Sequence, residues 1–219
     1  ALREIEKGRP VNIGVSPVKP QWNELLARVD IPVKKGIWSY RVFILLQENK
    51  DLLQTVNSPE KLKSIPTGVG AQWAFRKVLE EGGFNNVVTG LSTPNLYKML
   101  SLGRFVTFSR GVEEAARELQ EFGADHPGLV IDEHVMLYVY LPSYFYVSPQ
   151  FPKIAERVRV GLERIFESGE YDEIFKEYVG DVVKEYRLNQ RRVFILDNPN
   201  LSPKARERDK PYLLPLFDE

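Results

Sequence analysis

Arg110 is the residue with the clearest capacity for ligand chemistry. It stands where the apolar run Phe105–Ser109 gives way to the helical pattern Gly111–Phe122. The start of a helix carries partial positive charge, so a cation there must be answered by something. Two answers are open. Glu113 or Glu114 in the first turn can pair with it locally. Alternatively, Arg110, Ser109 and the adjacent helix amides together hold a carboxylate or phosphate, which a guanidinium grips with a bidentate fork.

A second candidate is the turn Gly68-Val69-Gly70-Ala71-Gln72-Trp73. It begins like a dinucleotide fingerprint. However, Trp73 replaces the third glycine, and no acidic residue follows about 20 positions on at a strand end. The expectation is a tight glycine turn that leaves helix amides open to an anionic group, with Gln72 and Trp73 beside it. Trp73 either walls a pocket there or fills the core. Trp38, Tyr40 and Arg41 form a third cluster ahead of a strong apolar strand, and Trp38 either stacks on a ligand or packs internally. Ser16 follows the first strand. Its setting, Gly14-Val15-Ser16-Pro17-Val18, lacks the second glycine of a nucleophile elbow.

Enzyme chemistry has little to draw on. Cysteine is absent, which removes thiol nucleophiles and cysteine metal sites. His126 and His134 are the two histidines, too few for a multi-histidine site, and each suits a surface or packing role. No phosphate-binding loop of the Walker type occurs. Asp132 with Glu133 is the one carboxylate pair to check for hydrolysis.

Local patterns supply the elements that must position these groups. Thr67–Gly70 reads as a strand, and Ala71–Glu81 as a helix with Ala71, Ala74, Phe75, Val78 and Leu79 on one face and Gly82-Gly83 as its stop. Asn86–Thr89 is a second strand. Thr93 is expected to cap the next helix, with Pro94 at its first position and Gly103 at its end. Phe105–Ser109, the helix Gly111–Phe122 and a strand Leu129–Ile131 follow. Strands separated by helices of this length imply βαβ units and a parallel sheet. On the flanks, residues 1–7 read as helix, and Val11–Val15 and Arg41–Leu46 as strands. Val135–Val147 reads as one buried strand bent at Pro142. Two helices carry stripes at Ile154, Val158, Leu162, Ile165 and Phe166, then at Tyr171, Ile174, Phe175 and Tyr178. A strand Arg192–Leu196 precedes a proline-rich, charged tail.

This pattern predicts an α/β lobe at 53–146 inserted into a discontinuous lobe made of 1–48 and 149–219. Two crossing strands would make a hinge, and a cleft between hinged lobes is a common small-molecule site. Lys plus Arg and Asp plus Glu both number 30, so net charge is zero, which argues against a dedicated nucleic-acid binder. Hydrophobic residues at 43% fit a globular chain with a sizeable core. No apolar run reaches the length needed to span a bilayer.

The segment YFYVSPQFPKIAERVRVGLERIFESGEYDEIFKEYVG (144–180) resembles the end of bacterial periplasmic solute-binding proteins of the polar amino-acid ABC transporter type, the extracellular solute-binding protein family 3. VNIGVSP with RVDIPVKKGIWSYRVFILLQ is similar to that family's first lobe and hinge strand. NSPEKLKSIPTGVGAQWAF is similar to the start of its second lobe. KMLSLGRFVTFSRGVEEA resembles its Gly-Arg strand, and RRVFILDNPNLSP resembles a subgroup ending in an Asn-Pro segment.

The resemblance implies a two-lobed α/β fold of periplasmic-binding-protein type II. It implies capture of a small amino-acid-like or anionic solute in the cleft, and the residues read above make Arg110, Ser109, Gly70, Gln72 and Trp73 the expected contacts from one lobe and Trp38, Tyr40, Ser16 and, less strongly, Arg41 those from the other. It further implies periplasmic location with the signal peptide removed, delivery to a transporter or a sensor protein, a monomer, no nucleic-acid partner, no cofactor, no metal and no enzymatic activity.

Three departures stand out. Gln21 or Trp22 occupies the region where amino-acid binders place a carboxylate-holding Arg. Phe105 and Val106 follow Gly103-Arg104 where they place an Asp. The chain also starts late relative to the family, so the first lobe is expected to lack its opening strand. The ligand is then something other than an ordinary α-amino acid, or the fold serves as a sensory or interaction domain with little affinity for ligand.

Overall fold

The computed structural model describes residues 1–180, 182–202 and 204–214. Two compact units emerge. The first comprises Ala1–Ile37, Tyr140–Asp181 and Asn200–Glu219, and the second Trp38–Val139 and Val182–Pro199. The chain begins in the first unit with α1 (Leu2–Lys7), β1 (Ile13–Pro17), α2 (Pro20–Leu25) and β2 (Ala27–Arg28). The second unit follows with β3 (Tyr40–Leu46), α3 (Pro59–Ser64), β4 (Thr67–Gly70), α4 (Ala74–Glu81), β5 (Val87–Gly90), α5 (Thr93–Ser101), β6 (Thr107–Gly111), α6 (Val112–Phe122), β7 (Leu129–Ile131) and β8 (Val135–Val139). Back in the first unit are β9 (Ser143–Val147), α7 (Pro152–Glu167) and α8 (Glu170–Val179). Then α9 (Val182–Glu185) and β10 (Arg192–Leu196) belong to the second unit, and α10 (Lys204–Asp209) to the first.

The α/β class is as expected, but the larger sheet is mixed and the smaller one antiparallel. In the second unit the strand order is β10-β8-β3-β6-β4-β5, with β7 also on β3. The pairs β10–β8, β4–β5 and β4–β6 are parallel, whereas β3 runs antiparallel to β6, β7 and β8. A strand with neighbours on both edges and layers on both faces needs a continuous apolar run, and Val42, Phe43, Ile44 and Leu45 are fully buried. The first unit holds a three-stranded antiparallel sheet, β1-β9-β2. Ile5, Val18, Leu26, Tyr144 and Tyr146 pack on it as one cluster, and Val29, Ile31, Val147 and Leu162 as another.

Several expectations shift. Val135–Val147 is two strands: β8 joins the large sheet and β9 the small one, parted at Leu141-Pro142, where proline has no N–H for a ladder. α4 begins at Ala74, not Ala71, because Ala71 and Gln72 form a turn. Ser92, not Thr93, caps α5, its hydroxyl accepting from the Asn95 N–H at 3.3 Å. The lobe limits expected at 48/53 and 146/149 also differ from the observed division. β3, and with it Trp38, Tyr40 and Arg41, lies in the second unit, held there by β6 and β8. Residues 140–146 fall in the first unit through β9, and 182–199 in the second through β10.

Candidate functional site

Three strand ends meet at one edge of the second unit's sheet. β4 and β6 end at Gly70 and Gly111, and antiparallel β3 sets Arg41 opposite Gly111. α4 and α6 begin just beyond. Ligands of open α/β sheets gather outside such carboxyl ends.

Arg110 is buried there and satisfied from within the chain. Its Nε donates to Glu118 Oε2 at 2.8 Å, one terminal nitrogen pairs closely with Glu118 Oε1, and the same nitrogen lies 3.2 Å from Glu114 Oε1. Burial works against the Arg110 charge, but Glu114 and Glu118 outweigh it and hold its pKa above the ordinary guanidinium value. Tyr97 completes the network, its hydroxyl donating to Glu118 Oε2 at 3.2 Å. Burial first, then the Glu118 charge, pushes the Tyr97 pKa up. Glu113 turns elsewhere and accepts from Trp38 Nε1 at 2.7 Å.

Two amides of the Gly68–Trp73 turn are not open to a ligand. The Ala71 N–H donates to Gly90 O at 2.9 Å and the Trp73 N–H to Gly70 O at 3.0 Å, while the Gly111 N–H donates to Glu114 Oε2 at 3.0 Å. Nor do Gly68 and Gly70 serve a left-handed turn, since neither has a positive φ. They make room for rings. A Cβ on Gly70 would sit 2.3 Å from the Trp73 indole, and one on Gly68 2.3 Å from the Phe105 ring. Trp73 stacks on Phe108 with centroids 6.1 Å apart, and the Arg110 guanidinium lies 4.5 Å from the indole centroid.

Arg41 is different. It is 4% exposed, donates from Nε to Ser109 Oγ at 3.2 Å, and from its terminal nitrogens to Ser109 O at 2.9 Å and Trp38 O at 3.4 Å. Its guanidinium stacks 3.9 Å from the Phe75 centroid. Among the described residues no carboxylate forms an ion pair with it. Burial lowers its pKa to about 10, against the partial support of Glu114. A guanidinium has five N–H donors, and three of these are engaged.

Eight of the nine expected ligand contacts therefore lie in one unit: Trp38, Tyr40, Arg41, Gly70, Gln72, Trp73, Ser109 and Arg110. A chain of contacts joins Trp38, Arg41, Ser109, Arg110, Trp73 and Gly70. Gln72 is exposed on the same turn. Tyr40 is buried against Tyr138 at 5.2 Å. Ser16 belongs to the first unit, where its hydroxyl donates to Pro17 O at 2.9 Å.

Sequence reasoning missed Glu118, Phe75 and Tyr97. For Glu118 the signal was its place four residues after Glu114, which puts both carboxylates on one side of α6. Asp132 turns inward to accept from the His134 and Val135 N–H groups at 3.0 and 2.8 Å, while Glu133 is exposed, so the pair does not converge. No cluster of three or more metal-ligating side chains occurs among the described residues.

No family model and no curated protein matches this sequence. Solved structures match at the level of fold. A putative ABC-transporter binding component from Wolinella succinogenes DSM 1740, complexed with lysine, superposes with TM-score 0.63 at 14% identity, covering 82% of this chain and 74% of that one. The ancestral amino acid-binding protein AncCDT-1, a precursor of cyclohexadienyl dehydratase, gives 0.59 at 14% identity over 81% and 73%. A histidine kinase sensor domain with similarity to periplasmic binding proteins gives 0.55 at 13% over 82% and 74%. The chain thus shares the α/β fold of periplasmic solute-binding proteins, the fold its sequence resembles. Among the described residues, no helix is long and apolar enough to cross a membrane.

Proposed function

We propose that this protein binds a small amino-acid-like or anionic solute in the periplasm, without turning it over, and delivers it to an ABC-type transporter. Its fold neighbours include a putative ABC-transporter binding component complexed with lysine and an ancestral amino acid-binding protein. The observation that carries the reading is Arg41. It is a buried guanidinium with no carboxylate partner among the described residues, seated at the strand-end edge of the second unit with two N–H donors to spare. Arg41 would hold the solute's carboxylate, with Ser109, Gln72 and Trp38 beside it. Arg110 and Trp73 act as positioning residues, because Glu114 and Glu118 already neutralise Arg110.

A second reading is a sensory domain with weak affinity. The sensor-domain neighbour and the internally satisfied Arg110 favour it.

A thermal-shift screen against amino acids, small carboxylates, sugars and phosphorylated metabolites separates the two. A ligand at 100 times its dissociation constant adds about 2.7 kcal/mol of stability. Binding predicts a selective hit that Arg41→Met abolishes while the unliganded variant still melts cooperatively. A flat screen on well-folded protein sinks the binding reading and leaves the sensory one.

A further inference from the structure

Helices α7 and α8 of the first unit carry two complementary surfaces that their own fold does not use. On α7, Lys153, Glu156, Arg157, Val160, Gly161 and Arg164 line an open groove of about 500 Å³. Two of the helix's own acids are already engaged. Arg159 takes both Glu156, at 2.6 and 2.9 Å, and Glu163, at 2.5 Å. Among the described residues, Lys153, Arg157 and Arg164 form no ion pair.

Gly161 is one of the residues that line this groove. Glycine is the poorest helix former after proline. Here its backbone has no positive φ, and a Cβ placed on it would meet nothing within 4 Å. Neither conformation nor internal packing requires glycine at this position. What a missing side chain offers is close approach by another surface.

On α8, Ile174 is 40% and Tyr178 80% exposed. Glu170, Glu173 and Glu177 flank them at helical spacing, and among the described residues these carboxylates form no ion pair either. Asp172, by contrast, is paired with Lys35.

The two faces share one spacing. Arg157, Gly161 and Arg164 follow one another by four and three residues, as do Glu170, Ile174 and Glu177. Seven residues are two helical turns, about 10.5 Å at about 1.5 Å per residue. Two basic groups bracket a gap on one helix, and two acidic groups bracket an apolar knob on the other.

We propose that α7 and α8 form a docking surface for a second copy of this chain, with Ile174 of one copy filling the Gly161 gap of the other between opposed Arg and Glu pairs. A single two-fold contact would satisfy both surfaces of both copies, because such an interface sets residue i against j and j against i. This assigns an interaction surface independent of solute binding, and it departs from the monomer that the resemblance implies.

The test is sedimentation equilibrium of the full chain from micromolar to millimolar concentration, at low and high salt, with circular dichroism as the control for folding. The wild type is expected to show a salt-sensitive monomer–dimer equilibrium. Arg157→Glu with Arg164→Glu, or Glu170→Lys with Glu177→Lys, should each weaken it about tenfold or more. All four changes on one chain should restore it. Gly161→Leu should abolish the dimer while raising the melting temperature of the monomer. A wild type that stays monomeric throughout overturns the proposal and leaves the face to a different protein. So does a folded four-fold variant that fails to regain the dimer.

Discussion

Arg41 and Arg110 sit close together in sheet register and solve burial differently. A buried charge needs either a partner or a full set of hydrogen bonds. Arg110 has carboxylates from two successive turns of α6, whereas Arg41 has one serine, one tryptophan carbonyl and a phenyl face. Breaking a buried pair by deleting one partner costs about 3–5 kcal/mol. Because Glu114 remains 3.2 Å from Arg110, Glu118→Ala should fall near the lower end, about 3 kcal/mol in urea unfolding. A loss under about 1 kcal/mol would mean that Glu114 suffices. Gly70→Ala tests the ring seat. The added methyl meets the indole, so stability should drop by about 1–3 kcal/mol and tryptophan emission should shift to the red. Unchanged emission would show that Trp73 does not rest on Gly70.

At the scale of elements, the charged stretch 204–214 is a folded strap. Asp209, on α10, is fully buried and accepts from the Tyr140 hydroxyl at 2.5 Å and closely from that of Tyr144. Arg208 reaches Asp30 at 3.2 Å and lies 5.6 Å from the Tyr144 ring centroid. Tyr212 packs edge-on against Phe166 at 4.9 Å, and the Leu214 N–H donates to Lys35 O at 2.8 Å. An orphaned buried donor costs about 1–3 kcal/mol. Asp209→Ala removes the shared acceptor of two buried hydroxyls that keep each other, and for Tyr144 also Arg208, as partners, so a loss of about 1–3 kcal/mol is expected, read from the urea midpoint at constant slope. A midpoint within error of the wild type would show the strap to be dispensable.

For the molecule as a whole, both units bury tyrosines. Tyr97 lies in the second unit, and Tyr140, Tyr144 and Tyr146 in the first. Burial is the largest cause raising all four above the ordinary value of 10.0, with Glu118 adding to it at Tyr97 and Asp209 at Tyr140 and Tyr144. A pKa raised on folding means the neutral form stabilises the fold. That stability is complete below pH 10 and is lost as pH rises above it, because only the unfolded tyrosines ionise there. Each such tyrosine removes up to about 1.4 kcal/mol per pH unit. Denaturant midpoints should therefore hold steady up to about pH 10 and fall steeply beyond it. The share of tyrosinate absorbance that belongs to these four should rise with unfolding and not before. Full ionisation near pH 10 in a still-folded protein would refute this.

Local periodicity by itself determined most of the elements. β4, β7 and β10 fall where alternation or apolar runs placed them, and α6, α7 and α8 lie on their predicted stripes, because side-chain period is a property of neighbours along the chain. The C-terminal helix pair also carried enough of a resemblance to indicate the fold. Pairing across space was decided only by tertiary structure. Val135–Val147 is apolar on both sides of Pro142, so nothing local says that β8 and β9 join different sheets. Arg41 lies in the second unit because β6 and β8 flank its strand, a fact of register that its flanking sequence does not encode. Glu118 becomes the partner of Arg110 because two helical turns fold back over the end of a strand. Gly70 looks like a turn glycine until the indole of Trp73 lies on it. In each case the deciding quantity is a distance between groups far apart in contact order or orientation, and only the packed chain sets it.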